Sequence, residues 1–207
     1  MARVGIALLA AGSSERLGSP KQLVQFEDKS LLRRAAETAL ESCCSPMVVV
    51  LGANQEACVA ELAGLEIQIA SNSDWQSGMG SSVRSGLEAL LAADELAAVV
   101  FMVCDQLLVT PQILDSLVNT FEAGDHPIVA SEYEGEVGVP ALFALSLFPE
   151  LLALKGPEGA RKVIQRHRDE SAIVPFPGGM VDIDTPEDLA KIVGLFARNS
   201  RQDEQDE

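Results

Sequence analysis

The sequence predicts an α/β chain in which a mainly parallel sheet is covered by helices on both faces. Two patterns lead to this. Strand-like apolar runs alternate with segments of helical period along most of the 207 residues, and such alternation builds parallel sheets through helical crossovers. "MVVVLG" and "AAVVFMVCDQ" are apolar without a break, as strands buried on both faces must be.

In chain order, Val4–Leu9 reads as the first strand. After a loop, Ser30 caps a helix reaching about Ser42, with Leu31, Leu32, Ala35, Ala39 and Leu40 on its apolar face. Pro46 opens the "MVVVLG" strand, "NQEACVAELAG" is a short helix, and "LEIQIA" alternates as a strand. "SNSDWQSGMG" is a loop leading into a helix from about Ser81 to Ala93. "AAVVFMVCDQ" follows, ending in Cys104 and Asp105, and Pro111 starts a helix reaching about Ala123. "HPIVAS" and "GVPALF" are short strands around "EYEGEVG", with helices at Leu147–Leu154 and Glu158–Arg168. "SAIVPF" and "MVDI" are strands, and "TPEDLAKIVGLFAR" closes with Thr185 as cap and Pro186 at the first helical position. The expected organisation is one domain over 1–198 and a disordered acidic tail over 199–207.

A hydrophobic share of 47% with 22% charged residues is that of a globular chain, and a net charge of −16 argues against a nucleic-acid or anionic-membrane surface. Positive charge is nevertheless concentrated. Residues 35–154 hold seventeen acids and one cation, Arg84, whereas Arg16 and Lys21 flank the glycine of the opening loop. Four cysteines without a CxxC pair, and two histidines, make a structural zinc site a poor fit and suit a reducing cytoplasm. No segment is long and apolar enough to span a bilayer. Expected partners therefore exclude nucleic acid and membrane.

Ligands of open parallel sheets sit at the carboxyl ends of strands, so the loop after the first strand and the loop at Asp105 should share one edge. The opening loop, "LLAAGSSERLGSPKQL", is neither of two common phosphate templates. Gly12 and Gly18 enclose five residues where a P-loop has four, and Gly12 is followed by Ser13-Ser14-Glu15 instead of the glycines of GxGxxG. What remains is a strand-ending turn of small residues, Ala10 to Ser14, whose backbone N–H groups can form an anion-binding concavity. A plain surface turn fits those residues too. For Asp105 the competing reading is a helix or turn cap, and for Lys21 it is ordinary solvent exposure.

The full order LAAG-S-S-x-R-x-G-x-x-K resembles the signature loop of the molybdenum cofactor guanylyl- and cytidylyltransferases, relatives of methylerythritol cytidylyltransferase and the sugar-phosphate nucleotidyltransferases. The resemblance extends over residues 3–196. It takes in "SGMGSSVRSGL", which looks like the segment facing base and ribose, and "MVCDQ", which looks like the metal-binding strand end. "GVPALF" and "GPEGARKVI" look like acceptor-side segments, and "VDIDTPEDL" like the closing motif. Two stretches depart from the family pattern: Gln106-Leu107-Leu108 stands where proline often follows the aspartate, and Gly156-Pro157-Glu158-Gly159-Ala160-Arg161 where G-D-x-G-A-R is usual.

The resemblance implies a Rossmann-like, GT-A-like nucleotidyltransferase three-layer sandwich. It implies Mg²⁺-dependent transfer of CMP from CTP to the phosphate of molybdenum-molybdopterin cofactor, with release of pyrophosphate and a molybdoenzyme as recipient of the product. The alternatives are a nucleotidyltransferase for another phosphorylated metabolite and a non-catalytic cofactor-binding or insertion factor. Arg16, Lys21 and Asp105 are the implied catalytic residues. Leu9, Ala10, Ala11, Gly12, Ser13, Ser14, Lys21, Gly78 and Ser82 are the implied nucleotide-binding set. Asp105 and Asp184 are the implied metal ligands, with Asp182 behind and helix capping equally open for Asp184. Ser82 either donates to a base carbonyl or begins its helix; Arg84 either meets the acceptor or pairs with an acid. Guanylyl members read LAGG in the loop, and the added methyl of Ala11 suits a pyrimidine.

Overall fold

The computed structural model describes residues 2–13 and 20–179. In chain order these form β1 (Val4–Ala10), a two-stranded ribbon of β2 (Gln25–Phe26) and β3 (Lys29–Ser30), α1 (Leu31–Leu40), β4 (Met47–Leu51), α2 (Gln55–Glu61) and β5 (Gln68–Ser71). Then come α3 (Met79–Ala93), β6 (Ala98–Val103), α4 (Pro111–Ala123), β7 (Ile128–Tyr133), β8 (Glu136–Ala144), α5 (Phe148–Leu152), α6 (Ala160–Arg166) and β9 (Ser171–Pro175).

Seven strands form one sheet in the order β5-β4-β1-β6-β8-β7-β9. The pairs β5–β4, β4–β1, β1–β6 and β7–β9 are parallel; β8 runs antiparallel to both neighbours. The sheet is thus mainly parallel, as its apolar runs require, with one reversed strand. The chain leaves β1 towards β4 and β5, then returns through α3 to place β6 on the other side of β1. That reversal of direction opens a crevice at the carboxyl ends of β1 and β6.

Alternate residues of β1 feed two separate cores. Ile6, Leu8 and Ala10 pack with α1 and α4, through Leu32, Ala36, Leu114 and Leu117. Ala7, Leu9 and Ala11 pack with α3, α5 and α6, through Val83, Leu87, Leu151 and Val163. Strand periodicity sends successive side chains to opposite faces, so an unbroken apolar run was needed to serve both layers.

Several local details differ from the sequence reading. On α1 the buried positions are Leu31, Leu32, Ala36 and Ala39, while Leu40 stands 38% exposed at the helix end. Ser30 does cap this helix, its side chain accepting from Arg33 N–H at 3.2 Å. Helix α3 begins two residues early, because Gly78 at φ +115° turns the chain before Met79. "EYEGEVG" does not separate two short strands. It is a tight hairpin whose central residues, Glu134 and Gly135, both take positive φ, and this lets β7 and β8 run longer. Helices α5 and α6 are shorter than their patterns, since Gly156 at φ +56° and extended Gly159 break the chain between them. "MVDI", the closing helix and the tail lie outside the described residues.

Leu87 is fully buried between α3 and the sheet, whereas Leu91 on the same helix is 38% exposed. Leu87→Ala is expected to cost about 2–5 kcal/mol in urea unfolding, and Leu91→Ala about 0.5 kcal/mol or less.

Candidate active site at the carboxyl edge of β1 and β6

Parallel pairing of Leu9 with Val103 brings the ends of β1 and β6 level. Beyond them, the opening loop and Asp105 meet. Lys21 lies in a single 3₁₀ turn, Lys21–Leu23, on the far side of the loop. Its Nζ donates to Asp105 Oδ2 at 2.9 Å, with the two side chains 13% and 23% exposed. Residues 84 positions apart in sequence are in direct contact.

The loop backbone is held by a residue that sequence reading missed. Gln22, 2% exposed, donates through Nε2 to the Ala10 carbonyl at 2.9 Å and the Gly12 carbonyl at 2.6 Å. The Ala11 carbonyl accepts from Ala53 N–H at 2.9 Å. Three successive carbonyl oxygens are therefore engaged by the protein, and an anion approaching the turn meets none of them as a free repelling dipole. The only available signal was position, since Gln22 directly follows Lys21. Leu9 is 7% exposed and belongs to the core, so backbone is what it offers a ligand; Ala11 is equally enclosed at 4%. At Gly12 a β-carbon would meet nothing within 4 Å among the described residues.

Asp105 has a second oxygen, Oδ1, that is buried and without a hydrogen-bond partner among the described residues. Carboxylates are acceptors only, so this atom calls for a donor or a cation. No group of three His, Cys, Asp or Glu side chains able to hold a metal exists among the described residues. A Mg²⁺ ion held by one or two carboxylates plus substrate phosphates needs no such cage, and Asp105 fits that donor pattern. Next to it, Gln106 is 6% exposed and ties the strand end to the hairpin, donating to the Val139 carbonyl at 2.9 Å and the Gly179 carbonyl at 3.3 Å. Cys104 is 7% exposed, and burial together with the Asp105 charge pushes its thiol up, so it is an inert core residue.

The third side of the crevice is the start of α3. A β-carbon on Gly78 would fall on the Gly156 carbonyl, and Gly80 N–H donates to that same carbonyl at 3.1 Å. The "SGMG" and "KGPEG" stretches are thus packed backbone to backbone. Ser82 accepts from Asn72 Nδ2 at 3.1 Å. Arg84 donates to the Leu154 carbonyl and lies 3.7 Å from Asp74, so of its two readings the structure shows an acid partner. Arg161 pairs with Glu136. Ser14, Arg16 and Asp184 lie outside the described residues. A cavity of about 360 Å³ also opens between α1 and the β6–α4 connection, lined by Arg34, Thr38, Met102, Cys104, Gln106 and Val109 among others. It does not include Lys21 or Asp105, and the chemistry of the crevice lies apart from it.

Residues 6–171 match the model of the MobA-like NTP transferase domain. The chain belongs to that family. The matched range holds Lys21, Asp105, Gly78 and Ser82 and ends before Asp184. The chain is 27% identical over 194 residues to the purine catabolism protein PucB of Bacillus subtilis, covering 87% of this chain and 91% of that protein. It is 49% identical over 81 residues to nicotine blue oxidoreductase of Paenarthrobacter nicotinovorans, an alignment spanning 38% of this chain and 39% of that one. Among solved structures it is similar to Rv0371c of Mycobacterium tuberculosis H37Rv, with TM-score 0.78 and 26% identity over 93% of this chain and 98% of that one. Rv0371c is also known in complex with manganese, with TM-score 0.74, 25% identity and coverage of 92% and 97%. No helix among the described residues is long and apolar enough to cross a membrane.

The four thiols differ in exposure. Cys44, Cys58 and Cys104 are buried, and Cys43 is exposed. Local packing and the Asp115 carboxylate push Cys43 up to about 11, and burial pushes Cys44 up to about 12. Only the thiolate reacts, so native protein should react slowly with a disulfide reagent at Cys43 alone. The rate should climb about tenfold per pH unit from pH 7 to 9, the other three reacting only after denaturation. Rapid labelling of Cys104 in the native protein would contradict its buried placement.

Proposed function

We propose that this protein transfers a nucleoside monophosphate from an NTP to the phosphate of a small phosphorylated metabolite, releasing pyrophosphate. The observation that carries this reading is the Lys21–Asp105 contact at the strand ends, 2.9 Å long and mostly enclosed. It sets a cation and a metal-competent carboxylate beside a loop whose carbonyls are tied inwards.

Nucleotidyl transfer asks for alignment at phosphorus and for neutralised charge, more than for a strong base. Here the turn from Ala11 to Ser14 receives the β- and γ-phosphates on its N–H groups. Lys21 leaves Asp105 and turns its ammonium to the α-phosphate, where charge develops on reaction. Arg16 adds countercharge for the departing pyrophosphate. Asp105, whose Oδ1 is buried without a hydrogen-bond partner among the described residues, would hold a divalent cation, with Asp184 as a further carboxylate. Mg²⁺ in that place supplies charge neutralisation across the phosphates; the manganese complex of Rv0371c supports a hard divalent cation. The acceptor phosphate is already ionised and attacks without a general base, so the chain needs no nucleophilic triad.

Within this reading, likeness of the Ala10-Ala11-Gly12 turn to cytidylyltransferases supports CTP as donor and the phosphate of molybdenum-molybdopterin as the first acceptor to try. The similar proteins support the wider class of phosphorylated acceptors better than that one acceptor.

Because Lys21 pairs with Asp105, Mg²⁺ alone should shift the melting temperature by less than about 1 °C. Mg²⁺ with its cognate NTP at a hundred times Kd should raise it by roughly 5–10 °C. Lys21→Ala and Asp105→Asn should each lower kcat/KM for pyrophosphate release by at least about 100-fold. Undiminished turnover in either variant would remove that residue from the mechanism.

A further inference from the structure

The cavity between α1 and the β6–α4 connection takes no part in the proposed transfer. It measures about 360 Å³, within the range of roughly 300–1,000 Å³ that small-molecule sites occupy. One wall is the chain from Gln106 to Pro111, and α1 faces it. Cys104 and Gln106, the two neighbours of Asp105 in sequence, both line the cavity, while Asp105 does not. The turn between them is closed on itself. Leu107 N–H donates to the Asp105 carbonyl at 3.1 Å, and Val109 N–H to the Gln106 carbonyl at 3.2 Å. Whatever fills the cavity therefore bears on the segment that holds Asp105 in place.

The lining says what would fill it. Gln106 is 6% exposed. Its Nε2 gives its protons to the Val139 and Gly179 carbonyls, and neither of those residues lines the cavity. This fixes the amide, since the reverse orientation would set its oxygen against two carbonyls. Oε1 is then left on the side away from them, buried and without a hydrogen-bond partner among the described residues. An unpaired buried acceptor is costly, and an incoming N–H would relieve it.

The rim argues against an anion. Lys29 pairs with Glu37 at 2.6 Å and Arg34 with Glu27 at 3.1 Å, and the Arg34 guanidinium also lies 4.9 Å from the Phe26 ring centre. Both cations of the lining are thus engaged, and Glu41 adds a further carboxylate. A phosphate or nucleotide finds no spare countercharge here. The floor is apolar, with Met102, Leu108 and Val109.

We propose that this cavity is an effector site for a neutral, largely apolar small molecule that presents an N–H donor to Gln106 Oε1, and that its occupant acts on Asp105 through the turn they share. The binding is independent of the nucleotidyltransferase reading; only the effect on nucleotide rests on it.

Aniline and toluene have nearly the same shape and differ in the N–H donor, so both are titrated into isotope-labelled protein and followed in its amide spectrum. Gln106→Met keeps the length of the side chain and removes the acceptor. In that variant aniline should lose at least about fivefold in affinity relative to toluene. Ala35→Phe, which builds into the cavity from α1, should weaken both probes at least about tenfold. Mg²⁺ with CTP should change the aniline Kd of the wild-type protein at least about threefold, because coupling between two sites is reciprocal. An unchanged aniline-to-toluene ratio in Gln106→Met, or undiminished binding in Ala35→Phe, would overturn the site. An aniline Kd indifferent to Mg²⁺ with CTP would overturn the effector role. Should either variant not fold, a crystal of the wild-type protein soaked with aniline decides: nitrogen within hydrogen-bond distance of Gln106 Oε1 supports the site, and nitrogen turned to the mouth overturns it. Wild-type protein that binds aniline in the cavity but no NTP by calorimetry would overturn the proposed function and the effector role, and leave the binding site standing.

Discussion

Everything at the crevice depends on β1 and β6 being parallel neighbours in register. Leu9 opposite Val103 makes the two strands end together, so the turn after one and the carboxylate after the other occupy the same edge. An antiparallel β6 would have carried Asp105 to the opposite end of the sheet. Parallel order in turn requires a helical crossover, and α3 supplies it while offering its own first turn as a third wall. One connection therefore fixes the sheet, the carboxylate and the serine face together.

The electrostatics are local. A chain of net charge −16 repels polyanions at long range, yet screening confines exposed charges to about a Debye length. Inside the crevice, Lys21 and Asp105 neutralise each other at 2.9 Å with little exposure. Such a pair is costly to leave half-made, so partners that replace both sides at once, a phosphate for the lysine and a cation for the aspartate, are favoured over either alone. Gln22 contributes the complementary restraint by drawing the Ala10 and Gly12 carbonyls away from the open side.

Packing around α3 is equally constrained. Gly78 and Gly80 let the stretch around Gly156 lie directly on the helix start, and Arg84 fastens the Leu154 carbonyl to the same helix. The segment that resembles a base-binding motif and the one that resembles an acceptor motif are thus one mechanical unit. This explains why Arg84, read as a candidate ligand cation, is engaged in holding backbone.

Sequence alone determined the layers. Unbroken apolar runs at residues 4–11, 47–51 and 98–104 can satisfy a chain only as strands covered twice, because each face of the strand must find a dry partner. The cap at Ser30 was legible for a similar reason, since a helix start needs a local acceptor for its free N–H groups, and Pro111 marked another helix start. The order LAAG-S-S-x-R-x-G-x-x-K marked Lys21, and "MVCDQ" marked Asp105, as separate candidates. Their contact was decided only by tertiary structure, because strand order is a property of the sheet and leaves no periodic trace in the chain. The same holds for Gln22 and Asn72, polar residues whose roles consist of reaching atoms of other segments, and for the reversed strand β8, which the two positive-φ residues of a hairpin turn set in place. Local physics writes itself into neighbouring residues; contacts between distant ones exist only once the chain has folded.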